Sequence, residues 1–260
     1  MIRIKDGFTG ERSIVIPKMI IDMLEQDPLG RALHITDIGY YPVAKHHFIN
    51  RKETIDQYVL IYCIEGCGWY KLNNVKYEVN ANQFFILPKG QIHSYGADAK
   101  RPWTIYWCHF KGVLAGYYAD GLNIPHSINP AADSRILDRI AIFEEIFYSL
   151  KNGYGIENLH YAISLFHHYL GTLRHIRQYR RAGAAHGGVP EVDVVDKTIR
   201  YMKENIERHI SLKDVATYAG YSHTHLSQLF KQKMGYSPLS YFNLLKIQAA
   251  CALLDSTGMK

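Results

Sequence analysis

The sequence has few cysteines and no long apolar run. Its four cysteines, Cys63, Cys67, Cys108 and Cys251, are scattered along 260 residues, a usage that suits reduced thiols better than a disulfide framework. Cys63 and Cys67 flank a glycine turn without a second cysteine pair, which argues against a zinc site. No uncharged apolar stretch reaches about eighteen residues, and the start, MIRIKDGFTGER, is charged where a signal peptide would be apolar. These absences predict a cytoplasmic protein.

Charge of one sign is not in great excess either. Lysine and arginine number 30 against 24 acidic residues, which gives a net charge of +6 and a pI near 9.0. The excess is spread along the chain and favours a polyanionic partner only weakly. Hydrophobic residues make up 47% of the chain and aromatic residues 13%, enough for the core of one large or two ordinary domains. The chain is therefore predicted to be globular.

Residues 33–112 consist of short apolar and aromatic runs separated by glycine, proline and asparagine. Such runs are typical of an all-β sandwich or barrel. Two hairpin turns are predicted, one at EGCG over residues 65–68 and one at Asn73-Asn74, where residues that tolerate positive φ lie between strands. Before this region, RSIVIP predicts a short strand and PKMIIDMLEQ a short helix. Together they form an arm or lid within residues 1–30.

Within the β region, Pro88, Gly90 and His93 of NQFFILPKGQIHSYG fit the P-x-G-x-x-H spacing of the second cupin motif. The region therefore resembles a cupin-like sensor domain. Metal-binding cupins also carry two histidines one residue apart, followed by a glutamate. This chain offers only the adjacent His46 and His47, whose side chains point in opposite directions on a strand. We therefore expect no metal site and no cofactor, and His93 is interpreted as a structural or ligand-contacting residue.

Beyond residue 130 the apolar spacing changes to that of helices. One helix is predicted within 134–153, ending at Lys151-Asn152-Gly153, and a second over 156–181. Two such antiparallel helices can cover one end of the barrel, or offer an apolar strip to the same helices of another subunit. We expect both uses, and hence a homodimer formed through residues 134–181.

A small, flexible segment, RAGAAHGGVP, then separates two parts of the chain. The predicted organisation is a cupin-like ligand-sensing and dimerisation domain over 1–181, a linker over 182–190, and a partial helix-turn-helix DNA-binding domain over 191–260. The fold class is accordingly α+β, with an N-terminal cupin-like β-barrel and two antiparallel helices followed by an all-α unit.

Residues 211–238, SLKDVATYAGYSHTHLSQLFKQKMGYSP, carry the pattern of two helices that meet at a tight turn. Ser211 and Asp214 form a capping-box start, Gly220 ends the first helix, and Ser222 caps the second. The buried stripe of the second helix is predicted to contain Leu226, Leu229, Phe230 and Met234. The pattern predicts a helix-turn-helix. A helical hairpin that binds no DNA is the alternative.

The same segments, with the following YFNLLKIQAACALL, resemble the DNA-binding domain of the AraC/XylS transcription regulators. This resemblance implies a DNA operator or promoter as partner. The family uses two helix-turn-helix units joined by a long helix, and the second unit is absent from the 260 residues. Because phosphate contacts are cumulative and salt-dependent, we expect the 260-residue chain to bind an operator poorly while still binding its ligand.

The second helix is expected to enter the major groove. Gln228 can pair in bidentate fashion with adenine, and Thr224 can contact a thymine methyl group. A solvated polar face is the alternative for each of these side chains. The residues predicted to contact DNA are His223, Thr224, Ser227, Gln228, Lys231 and Lys233.

The strand over 103–110 alternates between two sets of side chains, one of which must face the barrel interior: Trp103, Ile105, Trp107 and His109, or Thr104, Tyr106, Cys108 and Phe110. Resemblance to the family's arabinose-sensing domain implies that Trp107, Tyr95 and Arg51 bind the ligand, with His93, Tyr62 and Trp69 as further candidates. An indole face can pack on a pyranose ring while guanidinium and phenol groups take its hydroxyls. The alternative is that these rings only fill a small barrel.

These features predict a ligand-responsive DNA-binding transcription regulator that senses a sugar or sugar-like small molecule and is not an enzyme. A metal-dependent cupin enzyme, such as a sugar isomerase or dioxygenase with a structural helical tail, is the alternative. The proposed mechanism is that ligand closes the N-terminal arm over the barrel mouth.

Overall fold

A computed structural model describes residues 3–131, 133–183 and 194–257. The chain divides into two compact units, Met1–His186 and Gly187–Lys260. Most of the predicted linker, residues 184–190, lies outside the described residues. The exact domain limits given above therefore stay a prediction.

The first unit contains a six-stranded antiparallel sheet. The first and last strands in its order form the edges, and the other four lie between them. The strands, in sheet order, are β1 (Arg12–Val15), β2 (His34–Tyr41), β9 (Thr104–Lys111), β4 (Tyr58–Glu65), β7 (Gln83–Leu87) and β10 (His126–Ser127).

A second, four-stranded sheet faces the first. Its strands, in sheet order, are β3 (Phe48–Asn50), β8 (His93–Ala97), β5 (Cys67–Leu72) and β6 (Val75–Asn80). Both predicted hairpin turns are present. Gly66 has φ of 72° between β4 and β5, and Asn73 and Asn74 have φ of 51° and 65° between β5 and β6, the positive values that a two-residue hairpin requires.

The side chains of β9 and of Trp103, the residue just before it, divide between two cores, as the alternation predicted. Trp103 and Ile105 belong to a core between the two sheets, whereas Tyr106, Cys108 and Phe110 belong to a core between the six-stranded sheet and the helices. The set that begins with Trp103 therefore faces the barrel interior.

Helices cover the outer face of the six-stranded sheet. They are α1 (Lys18–Gln26), α2 (Pro28–Ala32), α3 (Ala115–Ala119), α4 (Ile136–Lys151), α5 (Ile156–Arg174) and α6 (Ile176–Gly183). The two long helices, α4 and α5, are called the helix pair below. They bury Phe143, Phe147, Leu159, Phe166 and Leu170 against the sheet.

The single helix predicted over 156–181 is wrong in one respect. The helix stops at Arg174, His175 has a non-helical backbone with φ of −116° and ψ of 52°, and α6 then starts. His175 Nε2 lies 3.3 Å from the hydroxyl of Tyr117, and Arg174 donates to the Asp120 carbonyl at 2.7 Å. The apolar stripe continues through the break, so the periodicity did not reveal it.

The N-terminal segment is more fixed than an arm. β1 pairs with β2 along its whole length, and α1 and α2 follow it; both the strand and the first helix were predicted. Only the beginning of the segment crosses the barrel, where Ile4 forms a bridge with His47. Its backbone exchanges hydrogen bonds with His46 and Phe48 at 3.0 and 2.9 Å.

The second unit is all-helical over its described residues. Its helices are α7 (Val194–Glu204), α8 (Leu212–Ala219), α9 (His223–Met234) and α10 (Pro238–Thr257). Its core contains Met202, Val215, Leu226 and Phe230. The predicted fold class, an N-terminal barrel with two antiparallel helices followed by an all-α helix-turn-helix unit, is confirmed. Across the three described ranges, the length and apolarity needed to cross a membrane are reached by none of the helices.

Candidate functional site

A cavity of about 300 Å³ opens into the barrel between the two sheets. This volume lies at the lower end of the range for small-molecule sites, roughly 300–1,000 Å³. Its lining combines aromatic rings with charged and polar groups that converge from several strands, including those of Asp37, Tyr41, His47, Arg51, Trp107 and His109. We call it the barrel cavity.

Trp107 provides the largest aromatic surface of the barrel cavity. Its cross-strand partner on β2 is Gly39, and a Cβ atom at Gly39 would lie 2.6 Å from the indole ring. The glycine therefore lets the ring lie flat on the neighbouring strand. Tyr41 packs against the ring at 5.2 Å between centroids, and His109 at 5.5 Å. These three rings form one aromatic wall.

Arg51 and Tyr95 also line the barrel cavity, as the resemblance implied. The Arg51 backbone N–H donates to the His93 carbonyl at 3.1 Å, which fixes the chain where β3 ends. The Arg51 Nε atom is buried and has no hydrogen-bond partner among the described residues. Burial raises the pKa of Tyr95, although the nearby guanidinium of Arg51 opposes this. The Arg51 guanidinium and the Tyr95 hydroxyl are therefore both hydrogen-bond donors in the cavity wall.

Asp37 is a charged residue of the barrel cavity that sequence reasoning missed, as are Lys5 and Asp6 at its mouth. The Oδ2 atom of Asp37 accepts a hydrogen bond from the Thr36 hydroxyl at 2.7 Å and lies 3.4 Å from both Gln57 Nε2 and His109 Nδ1. Burial alone would raise its pKa, but hydrogen bonds from His109 and Thr36 and the charge of Arg51 leave the pKa below its usual value. The available signal was the single carboxylate in the strand HITDIGYY.

His47 enters the barrel cavity as a neutral ring. Its Nδ1 accepts a hydrogen bond from the Trp103 indole at 3.2 Å, and burial lowers its pKa to about 4. Since Nδ1 is the acceptor, Nε2 carries the proton and is a donor. His46 lies in a turn with φ of 65° rather than on a strand, so the expectation that the two rings project from one strand is corrected. Only His47 belongs to the cavity.

Two further candidates, Tyr62 and Trp69, lie away from the barrel cavity. Tyr62 lies on the outer face of β4, in the core under the helix pair. Trp69 lies on the outer face of β5, packed on Phe48 and below Lys76. These positions correct the expectation that both rings face the ligand, because strand alternation turns each of them outward.

His93 is buried beside the barrel cavity but does not line it. It stacks nearly parallel to Tyr95 at 6.0 Å between centroids. Its Nδ1 lies 2.9 Å from the Gln91 carbonyl and so carries the proton, while Nε2 has no partner among the described residues. Desolvation lowers its pKa. The His93 ring therefore packs against Tyr95, and its Nε2 atom is a hydrogen-bond acceptor at the edge of the barrel cavity.

The mouth of the barrel cavity is bordered by the N-terminal segment. Lys5 and Asp6 line it next to Ser13 of β1. Phe8 anchors this segment, because its buried ring packs on Tyr41 at 5.0 Å and on His47 at 5.4 Å. The segment thus contacts side chains that themselves form the cavity wall.

The second candidate site is the helix-turn-helix of the other unit. The Ser211 hydroxyl accepts from the Asp214 N–H at 3.2 Å, and the Asp214 carboxylate accepts from the Ser211 N–H at 2.8 Å. Gly220 ends α8 with φ of 80°, and Ser222 caps α9. The predicted capping box, turn and second cap are therefore all confirmed.

The α9 side chains separate as predicted, with one correction. Leu226 and Phe230 are fully buried, and Met234 packs against their core. Leu229 is only half-buried and is not part of that core, because it lies at the flank of the helix face that contacts α8. Of the candidate DNA contacts, Ser227 is half-buried, and the exposed ones are His223, Thr224, Gln228, Lys231 and Lys233.

Comparison with known proteins matches both units. The description "AraC-like ligand binding domain" fits residues 40–165, and "Bacterial regulatory helix-turn-helix proteins, AraC family" fits residues 202–243. The chain belongs to the AraC family of transcription regulators. It thus combines a ligand-binding domain with a DNA-binding helix-turn-helix, and the alternative of a metal-dependent enzyme is set aside.

Relatives of this AraC-family chain regulate operons. It is 29% identical over 256 residues to the MmsAB operon regulatory protein of Pseudomonas aeruginosa, covering 93% of this chain and 76% of the relative. It is 26% identical over 207 residues to the lactose operon transcription activator of Staphylococcus xylosus, covering 77% and 71%. It is also 26% identical over 220 residues to the arabinose operon regulatory protein of Escherichia coli, covering 82% and 72%.

Proposed function

We propose that this AraC-family regulator senses a sugar or sugar-like small molecule in the barrel cavity. The observation that carries the proposal is the composition of the wall, where the rings of Trp107, Tyr41 and Tyr95 stand beside Arg51 and Asp37. A sugar ring presents an apolar C–H face and several hydroxyls that both donate and accept hydrogen bonds. Aromatic rings with a few fixed polar groups suit such a ligand.

The names of two relatives support the same class of ligand. The regulators of the lactose operon and of the arabinose operon are each 26% identical to this chain. The MmsAB operon regulatory protein, at 29% identity, carries no sugar in its name. The side chains of the barrel cavity therefore support a sugar ligand more strongly than the names of the relatives do.

Within the barrel cavity, each side chain has a distinct role. Trp107 packs on the ring face of the ligand, and the Arg51 guanidinium donates to its hydroxyl oxygens. Asp37 accepts from ligand hydroxyls, and His47 donates through Nε2. Tyr95 completes the wall, and His93 holds Tyr95 in place.

Ligand screening of the whole chain tests this proposal. Sugars at a hundred times their Kd are expected to stabilise the first unit by about 2.7 kcal/mol, or roughly 5–11 °C in melting temperature for a unit of this size. Trp107→Ala is expected to weaken binding roughly tenfold, because the stacking surface is lost. Trp69→Ala is the matched control, since Trp69 lies outside the barrel.

Two results would contradict sugar sensing. One is an absence of thermal shift with every neutral sugar tested. The other is equal loss of binding in Trp107→Ala and Trp69→Ala, which would assign the ligand to a place other than the barrel cavity. Trp107→Phe, which keeps an aromatic face, separates lost stacking from lost folding.

We also propose that the ligand acts through the N-terminal segment. Lys5 and Asp6 stand at the mouth, so a ligand in the barrel cavity can bind them and hold residues 3–8 in place. This restricts the proposed lid to the start of the arm, since β1 and α1 are built into the fold. Deletion of residues 1–8 should weaken ligand binding and abolish the reporter response, and an unchanged response would refute the lid.

Homodimerisation through residues 134–181 is part of the proposal. Leu137 and Tyr148 on α4 are 79% and 48% exposed, and their spacing of about three helical turns puts them on one face. Such a face is suited to packing on its own copy across a two-fold axis. Sedimentation equilibrium tests this, and a monomer at every accessible concentration would contradict it.

For DNA reading, we propose that Gln228 and Thr224 of α9 contact base edges while Lys231 and Lys233 contact phosphates. The early exposed turns of a recognition helix meet the bases, and later lysines meet the backbone. His223 and Ser227 flank this surface. DNA-binding assays of Gln228→Ala and Lys231→Gln test this assignment.

A further inference from the structure

The barrel cavity is lined by two cationic and two anionic side chains. Lys5 and Asp6 stand at the mouth on the N-terminal segment, and Arg51 and Asp37 are provided by the barrel. A cavity selective for anions would instead expose a cation without a nearby carboxylate. The chemical class of effector that the cavity accepts therefore depends on whether Asp37 and Arg51 reach the same group of the ligand.

Asp37 is built into the wall as an anion. Thr36, Gln57 and His109 all direct polar groups at its Oδ2 atom, at 2.7, 3.4 and 3.4 Å. Only 19% of its side chain is exposed. Its hydrogen bonds and the nearby guanidinium outweigh the cost of burial and keep its pKa low. These contacts thus hold the negatively charged carboxylate of Asp37 in one position.

Arg51, Asp37 and Tyr95 all line the barrel cavity. Burial raises the pKa of the Tyr95 hydroxyl, and the two charged groups act on this pKa in opposite directions, since Arg51 lowers it and Asp37 raises it. Arg51 in turn lowers the pKa of Asp37. A ligand group that approaches Arg51 from the cavity therefore also comes within range of the Asp37 charge.

We propose that Asp37 makes this regulator select an uncharged, polyhydroxylated effector over the carboxylate with the same carbon skeleton. The inference rests on the proposed function and refines it from sugars in general to neutral sugars. A hydroxyl group donates to Asp37 and accepts from Arg51 or from His47 Nε2. A carboxylate only accepts, and its attraction to Arg51 is offset by repulsion from Asp37.

The experiment compares neutral sugars with their acids on the full chain. The probe pairs are D-galactose with D-galacturonate and D-glucose with D-glucuronate, whose members share a pyranose ring, and binding is measured by calorimetry at fixed ionic strength. The wild-type protein should bind the neutral member of a pair at least about tenfold more tightly, because a carboxylate cannot donate a hydrogen bond to Asp37 and leaves that acceptor without a partner on the ligand. Tighter or equal binding of the acid would overturn the inference.

Asp37→Asn should reduce this preference about tenfold or more, because Arg51 then faces no carboxylate. The matched control is Asp56→Asn, which removes the same charge from the same unit at a residue that does not line the barrel cavity. Arg51→Gln is the second variant and should increase the preference for the neutral sugar. If the ratio of the affinities for the neutral sugar and its acid is unchanged in both Asp37→Asn and Arg51→Gln, the inference is overturned.

A second measurement needs no sugar. In a Trp69→Phe background, Trp103 is fully buried and Trp107 is the half-buried tryptophan of the barrel cavity. Iodide quenching relative to acrylamide quenching then reports the charge beside Trp107. Asp37→Asn should raise the iodide-to-acrylamide ratio, and Asp56→Asn should not.

The two measurements separate the two ways of failing. If no pair binds, sugar sensing is refuted, while the quenching ratio still decides whether Asp37 controls the charge of the barrel cavity. An iodide ratio that Asp37→Asn leaves unchanged overturns the inference, whether or not sugars bind.

Discussion

Replacement of Glu144 by glutamine removes an ion pair that joins the barrel to the helix pair. Arg12 of β1 donates from its two terminal nitrogens to the Glu144 carboxylate of α4 at 2.7 and 2.6 Å. The Tyr106 hydroxyl of β9 donates to the same carboxylate at 2.8 Å. Residues next to these donors, Ser13 and Trp107, line the barrel cavity. Glu144 therefore joins two cavity strands to α4.

The expected loss follows from the exposure of the pair. The side chains of Arg12 and Glu144 are 32% and 23% exposed, so the pair lies between a surface bridge, worth about 0–1 kcal/mol, and hydrogen bonds to buried charges, worth about 1.5–3 kcal/mol. We expect Glu144→Gln to lower the free energy of unfolding by about 2 kcal/mol. For a unit of this size that corresponds to roughly 4–8 °C in melting temperature.

The loss should depend on pH with a defined sign. The hydrogen bond from Arg12 lowers the pKa of Glu144, although burial opposes it. A carboxylate with a lowered folded pKa stabilises only while it is ionised. The contribution is therefore complete above the unfolded pKa, about 4.3, and disappears as the pH falls through the folded pKa. Wild-type and Glu144→Gln proteins should converge in stability in acid.

Tryptophan fluorescence measures this change in the first unit alone, since the three tryptophans, Trp69, Trp103 and Trp107, all lie there. Lys89→Gln is the control, because its bridge to Asp56 has side chains that are 54% and 70% exposed; it should cost less than about 1 kcal/mol. The reasoning is refuted if the two variants unfold alike at pH 7, or if the effect of Glu144→Gln does not fall in acid.

Four further variants test the cavity wall, the helix pair and the recognition helix. Gly39→Ala should displace Trp107, since the new Cβ would meet its ring at 2.6 Å, and ligand titration should show weaker binding. Gly171→Ala in α5 meets nothing within 4 Å and should raise stability by about 0.5–1 kcal/mol in thermal unfolding. In DNA-binding assays, Gln228→Ala should cost about 1–3 kcal/mol and relax base preference at one position. Lys231→Gln should reduce the salt slope by about 0.9 without changing sequence preference.

The helix-turn-helix was predictable because its signals are local. Ser211 with Asp214, Gly220 and Ser222 each act on backbone groups within a few residues, and all three appear where the sequence placed them. The position of Leu229 was less predictable. A residue at the edge of an apolar stripe is buried or half-exposed according to how closely the neighbouring helix approaches.

The wall of the barrel cavity was only partly predictable. Alternation along β9 correctly divided its residues into two faces, and resemblance pointed to Arg51, Tyr95 and Trp107, which line the cavity. Tyr62 and Trp69 were misplaced because resemblance and residue type carried no information on which face of their strands looks inward. The break of the long helix at His175 was missed for a related reason, since its contact is with Tyr117, far away along the chain.

The sequence by itself determined the class of each element, the caps and turns, and membership of the regulator family, because these depend on neighbouring residues and on spacing. Only the tertiary structure decided the chemistry of the barrel cavity. Asp37 and His109 are cross-strand partners through the register of β2 with β9, which an irregularity between Ile35 and Asp37 sets. A shift of register by one residue would turn Asp37 to the other face of the sheet. The balance of charge beside Arg51 thus arises from strand pairing, which no local pattern encodes.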